Sequence, residues 1–169
     1  MPPTTQQPTY DEVLAVPAVL EGTVAPEFID DNGHMNVRHY LDYGAHGADR
    51  ICRDVGIDRD YRANRRMGVF TAEHHIRYFS EMHEGDPFSV HTLFLERSSR
   101  AGHVISLILD RRREVLSCTV EIALVHVDLD SRRALPYPDD VAAGIDAWVA
   151  QAAAVPWPMP LSGAMGLRR

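Results

Sequence analysis

The chain has 169 residues, of which 45% are apolar and 24% charged, with a formal net charge of −7. That length suits one domain with its own core. The acidic balance excludes a broad attraction to nucleic acid or to an anionic membrane, both of which need a basic surface, while leaving room for a local basic pocket.

Residues 2–8 are Pro, Thr and Gln and read as a flexible tail. The N-terminus has no basic segment followed by an apolar run, so it does not read as a secretory signal. No stretch approaches the roughly 18 apolar residues of a membrane span. Two cysteines, Cys52 and Cys118, form no CxxC pair. They suggest neither a disulfide framework nor a zinc site, and a cytoplasmic location is expected.

Thr9 followed by Glu12 has the spacing of a capping box and predicts a short helix to about Val16, which Pro17 ends. Residues 18–25 read as a first strand. Asp30-Asp31-Asn32-Gly33 marks a tight loop. From Asn36 to about Val55 the apolar period becomes helical, with Val37, Tyr40, Leu41, Gly44, Ala48, Ile51 and Val55 on one face. Glycine in a helix interior costs about 1 kcal/mol relative to alanine. Gly44 and Gly47 therefore predict a helix that must approach a flat surface closely.

Asp58–Arg66 reads as a polar loop. Four strands are then predicted, Met67–Phe79, Pro87–Arg97, Gly102–Asp110 and Glu114–Asp128, as successive antiparallel hairpin partners. In the last of them Leu116, Cys118, Val120, Ile122 and Leu124 alternate with polar residues. Helical spacing returns over 139–153, and the proline-rich tail from Pro156 cannot continue it. The chain divides into an N-terminal tail and short helix (1–16), a central domain (17–138), and a C-terminal helix and tail on that same domain (139–169). The class is α+β, with one long helix on one face of a sheet.

The acidic loop before the long helix is where chemistry concentrates. The first amides of a helix lack internal partners and sit at the positive end of its dipole. A carboxylate there has an oxyanion site beside it, as acyl transfer requires. On spacing alone, Asp30 and Asp31 read as readily as turn and capping residues. Glu73 and His75 share one face of the next strand and could line a pocket or pair across strands. No GxSxG, HExxH, P-loop or dinucleotide fingerprint is present.

Asp30-x-x-Gly33-His34-Met35-Asn36 with Tyr40, followed by His75-Ile76-Arg77-Tyr78 and Gly85-Asp86-Pro87, resembles the 4-hydroxybenzoyl-CoA thioesterase family of hotdog proteins. The finer pattern, adding Glu73 and His126-Val127-Asp128, resembles its betainyl-CoA thioesterase branch, linked to carnitine breakdown. The resemblance implies a curved antiparallel sheet wrapped around a central helix. It also implies a homodimer, or a dimer of two such dimers, with the active sites at the subunit interface. It makes Asp30 the catalytic carboxylate, as nucleophile or general base, with His34 and Asn36 as helpers. The amides from Gly33 through Met35 to Val37 would hold the thioester oxygen. Tyr40, Glu73, His75 and Tyr78 are expected to contact the substrate, and Arg97 and Arg100, with Arg111 to Arg113 as further candidates, the CoA phosphates. Coenzyme A would enter only as part of the substrate, with no separate cofactor and no metal. Two rival readings stand beside hydrolysis: a dehydratase or hydratase on the same fold, and a non-catalytic acyl-CoA binder.

Overall fold

The computed structural model describes residues 7–167. The flexible tail expected over residues 2–8 falls mainly outside that span. Helix α1 (Tyr10–Leu14) begins at its capping box. The Glu12 amide donates to the Thr9 hydroxyl, and the Thr9 amide donates to the Glu12 carboxylate at 2.7 Å. Strand β1 covers only Leu20–Thr23, because a 3-10 turn at Pro26–Phe28 follows closely.

The long helix α2 is Val37–Asp54. The segment that reads as a polar loop contains a further helix, α3 (Arg59–Arg65), capped by Asp58. It buries only Tyr61, so it has no apolar period to announce it. Strands β2 (Met67–Tyr78), β3 (Pro87–Arg97), β4 (Ala101–Asp110) and β5 (Val115–Asp128) follow, then helix α4 (Asp139–Ala153).

The five strands make one antiparallel sheet in the order β1-β3-β4-β5-β2. The expected hairpin between β2 and β3 does not form. Strand β2 instead pairs with β5 from Met67↔Asp128 to Tyr78↔Cys118 and becomes an edge. Residues 79–86 carry the chain back across the sheet to β3, and such a connection is too long for a tight hairpin turn. Register shifts at Thr71/Glu73, Phe94/Glu96 and Ile108/Leu109 interrupt the ladders. Irregularities of this kind bend strands, and here they help curl the sheet around α2 into the hotdog arrangement.

The close approach predicted from the glycines is present. A Cβ on Gly44 would lie 2.6 Å from Val120 Cγ2, and one on Gly47 would overlap the Thr92 hydroxyl. Ser106 Oγ uses the gap to donate to the Gly44 carbonyl at 2.8 Å. Tyr40, Ala48, Ile51 and Cys52 of α2 pack on Val90, Val104, Val120 and Ile122.

The opposite face of the sheet carries a second core. There Leu93, Ile105, Leu107 and Leu109 meet Val13 and Val16 from one end of the chain and Trp157 from the other. The segment after α4 is strapped to this face. Arg77 donates to the Pro160 carbonyl, and the Ser162 amide donates to the buried Glu121 carboxylate. Among the described residues, no helix is long and apolar enough to cross a membrane.

Candidate active site

The loop between β1 and α2 is a small hydrogen-bonded turn. The Asp30 amide donates to the His34 carbonyl at 3.0 Å, and the Gly33 amide donates to the Asp30 carbonyl at 2.9 Å. Gly33 has φ 84°, the left-handed region that suits glycine. The Asp30 carboxylate accepts from the Asn32 amide at 2.8 Å. It stands 4.0 Å from His34 Nδ1. His34 Nδ1 is also 3.2 Å from the Met35 carbonyl oxygen. A carbonyl only accepts, so in that contact Nδ1 carries the proton and Nε2 keeps a lone pair.

Of the Gly33, Met35 and Val37 amides expected to hold a substrate oxygen, the structure leaves one free. The Met35 amide donates to the Met82 carbonyl and the Asn36 amide to the Phe28 carbonyl, both at 2.8 Å. Asn36 is the N-cap of α2, with its side chain accepting from the Arg38 amide at 3.1 Å. The side-chain oxygen expected to help catalysis is therefore occupied in starting the helix. The Gly33 amide is spent within the turn. Val37 N–H, at the first position of α2, has no acceptor among the described residues.

A cavity of about 340 Å³ opens at this point. His34, Met35, Val37 and Tyr40 form one wall, and the end of β2 with the following loop, Tyr78 to Glu81, forms the other. Asp30 does not line it but stands beside His34, which does. Tyr40 is buried, and its hydroxyl accepts from the Met82 amide at 3.0 Å. Burial pushes the Tyr40 phenol up, so it stays protonated. Its ring meets the Tyr78 ring edge-on at 5.4 Å. Phe79 and Ser80 also border a second cavity, of about 440 Å³, walled by Gln7–Tyr10 and Glu114–Leu116.

Glu73 and His75 do not join Tyr78. In an antiparallel ladder, paired residues share a face. Tyr78 pairs with Cys118, whose side chain lies in the core under α2. His75 pairs with Glu121, which faces the C-terminal strap. Glu73 and His75 thus point away from the cavity within this chain.

Arg97 and Arg100 lie at the other end of the sheet. Arg97 is held by both carboxylate oxygens of Asp146, each at 2.6 Å, and fastens α4 to β3. The arginines at the site's end are those of the β4–β5 turn. Arg112 donates to Asp86 at 2.5 Å, and Arg113 donates to Asp86 at 3.0 Å, Asp110 at 2.8 Å and the Glu81 carbonyl at 3.0 Å. Burial works to raise the Asp86 carboxyl, but the His83 amide and the two guanidiniums outweigh it and hold it below the usual carboxylate range.

A helix N-terminus with one free amide, a carboxylate–imidazole pair and an apolar cavity at the rim of a curled sheet together suit acyl transfer from a thioester. This is the architecture of a hotdog-fold thioester hydrolase. The model of the thioesterase-like superfamily matches residues 24–145, and the chain belongs to that superfamily. The betainyl-CoA thioesterase of Pseudomonas aeruginosa is 29% identical over 148 residues, covering 87% of this chain and 92% of the relative. The bifunctional L-carnitine dehydrogenase/betainyl-CoA thioesterase of Ruegeria pomeroyi is 34% identical over 125 residues. That match covers 73% of this chain but only 25% of the relative. Among solved structures, a Staphylococcus aureus protein in complex with CoA superposes with a TM-score of 0.80 at 23% identity, covering 90% of this chain and 97% of that one. The 1,4-dihydroxy-2-naphthoyl-CoA thioesterase of Synechocystis gives 0.67 at 16% identity, covering 75% and 93%. These two likenesses carry the fold. The resemblance read from the sequence is confirmed at the level of fold, family and thioester hydrolysis.

Proposed function

We propose that the chain hydrolyses a small acyl-CoA thioester to the free acid and CoA, and that betainyl-CoA or a related carnitine-pathway thioester is the substrate. The observation that carries the reading is the free Val37 amide at the start of α2, where Val37 and His34 line one cavity and the Asp30 carboxylate stands 4.0 Å from His34. The thioester carbonyl oxygen accepts from Val37 N–H, and the α2 dipole favours the negative charge that develops there. Asp30 supplies the carboxylate, either attacking the carbonyl or taking the proton of the attacking water, with His34 as its neighbour on the substrate side. The acyl–sulfur bond breaks and the thiolate leaves as CoA. No separate cofactor takes part. The Pseudomonas aeruginosa likeness, across nearly the full length of both chains, supports the betainyl assignment.

Strand β2 is a long sheet edge, and edges are normally paired or covered. The reading therefore includes a homodimer with its sites at the subunit interface; a clean monomer in light scattering would remove that part of it. The test of the chemistry follows thiol release from betainyl-, short-chain, long-chain and aromatic acyl-CoA, with Asp30→Asn alongside. Release that is lost in the variant supports the assignment. Full activity in Asp30→Asn overturns the role of Asp30. No release by folded protein with any acyl group favours a dehydratase or a binding protein.

A further inference from the structure

The reading above leaves open what selects the acyl group, and the following inference rests on it. We infer that the cavity at the start of α2 is a cation-selecting acyl pocket, with Tyr78 supplying aromatic surface and Glu81 the countercharge. Three observations lead there. First, of the large apolar side chains that stay exposed among the described residues, two of three, Val37 at 53% and Tyr78 at 47%, lie in this one cavity. Exposed apolar surface gathered in a concave site marks a binding surface.

Second, the cavity's charged lining is acidic. Glu81 lines it and no lysine or arginine does. Arg113, which donates to the Glu81 carbonyl, is balanced by Asp86 and Asp110, both buried.

Third, the Glu81 carboxylate has a side-chain neighbour, His83, that is itself tied to the sheet. Arg113 Nη2 donates to His83 Nδ1 at 2.5 Å. A guanidinium only donates, so His83 Nδ1 accepts and the ring proton sits on Nε2. That nitrogen is 3.3 Å from Glu81 Oε1. The chain Asp110–Arg113–His83–Glu81 thus runs from the sheet interior toward the pocket and ends with the Glu81 carboxylate beside the His83 N–H. Aromatic surface plus a carboxylate in one concave site suits a compact quaternary ammonium group.

The test uses non-hydrolysable thioether analogues of CoA, so that binding is read apart from the intrinsic reactivity of the thioester. Three ends of near-equal size are compared: trimethylammonio, its neutral isostere tert-butyl, and a carboxylate. The expected order of affinity is cation, neutral, anion, with the cation favoured over its isostere by about 2- to 30-fold. Glu81→Gln and Tyr78→Leu each bring that ratio toward one, whereas Tyr78→Phe keeps it. A neutral isostere that binds as well as the cation overturns the inference, as does a ratio that neither variant moves. The matching thioesters are assayed in parallel. Hydrolysis without a charge preference sinks the pocket assignment alone, and a charge preference in binding without hydrolysis sinks the hydrolase reading alone. Failure of all three analogues to bind folded protein sinks both.

Discussion

Replacing Val37 with proline removes one atom group, the amide hydrogen proposed to hold the thioester oxygen. The structure makes this an unusually clean deletion. Val37 is the first residue of α2, where an N–H has no intrahelical partner and proline is well tolerated. Asn36, which precedes it, already has φ −61° and ψ 139°, the extended conformation that proline requires of its predecessor. The side chain is 53% exposed, so little packing is lost. Stability should therefore change by no more than about 1 kcal/mol. Loss of one oxyanion donor costs about 2.7–4 kcal/mol of transition-state stabilisation, a fall in kcat of about 10²- to 10³-fold. Val37→Ala keeps the amide and serves as the control for the lost side chain. Steady-state thiol release, with thermal unfolding of each variant, makes the comparison. If Val37→Pro folds and keeps kcat within about threefold of the parent, the Val37 amide is not the donor. A raised KM at unchanged kcat would instead report a steric effect of the ring.

Glu121 sits under the C-terminal strap. Its burial works to raise its pKa, but His103 and the Ser162 amide outweigh that and hold it below the usual value. A depressed carboxylate stabilises the fold above its unfolded pKa of about 4.3, and that contribution is lost as pH falls through the folded value. Thermal unfolding should therefore weaken steeply below about pH 4.3 in the parent and less steeply in Glu121→Gln; parallel curves would refute this. Gly47→Ala should lose about 1–2 kcal/mol in denaturant melts, since crowding of the Thr92 and Ser106 hydroxyls outweighs the better helix propensity. Burial pushes the Cys52 thiol up to about 12 and raises that of Cys118 as well. Neither should react with an alkylating agent in native protein, and both should react once it is unfolded; rapid native labelling of either thiol would contradict their packing.

Much of the fold was legible because its signals are local. The capping box at Thr9, the glycines of α2 and the alternation of β5 each report their own surroundings. Strand pairing was not legible: nothing near β2 says that its partner is β5 rather than β3, because the choice is made by sheet closure across the whole domain. The loop that carries Asp30 could be found by motif and chemistry. Which amide remains free could not, since it depends on Met82 and Phe28, which lie close by only in the folded chain. The facing of Glu73 and His75 was legible as well. Counting by twos from Tyr78 along β2 puts His74 and Ile76 on its face and leaves the other two outside.

The second core draws on residues from near both ends of the described chain, with Val13 and Val16 meeting Trp157 over the same strands. During synthesis those strands leave the ribosome before Trp157 exists. The part of their outer apolar face that Trp157 covers must then wait for the strap to arrive, with only Val13 and Val16 already made. Shortening the chain ahead of Trp157 should therefore harm recovery of soluble protein well before it touches the chemistry at α2.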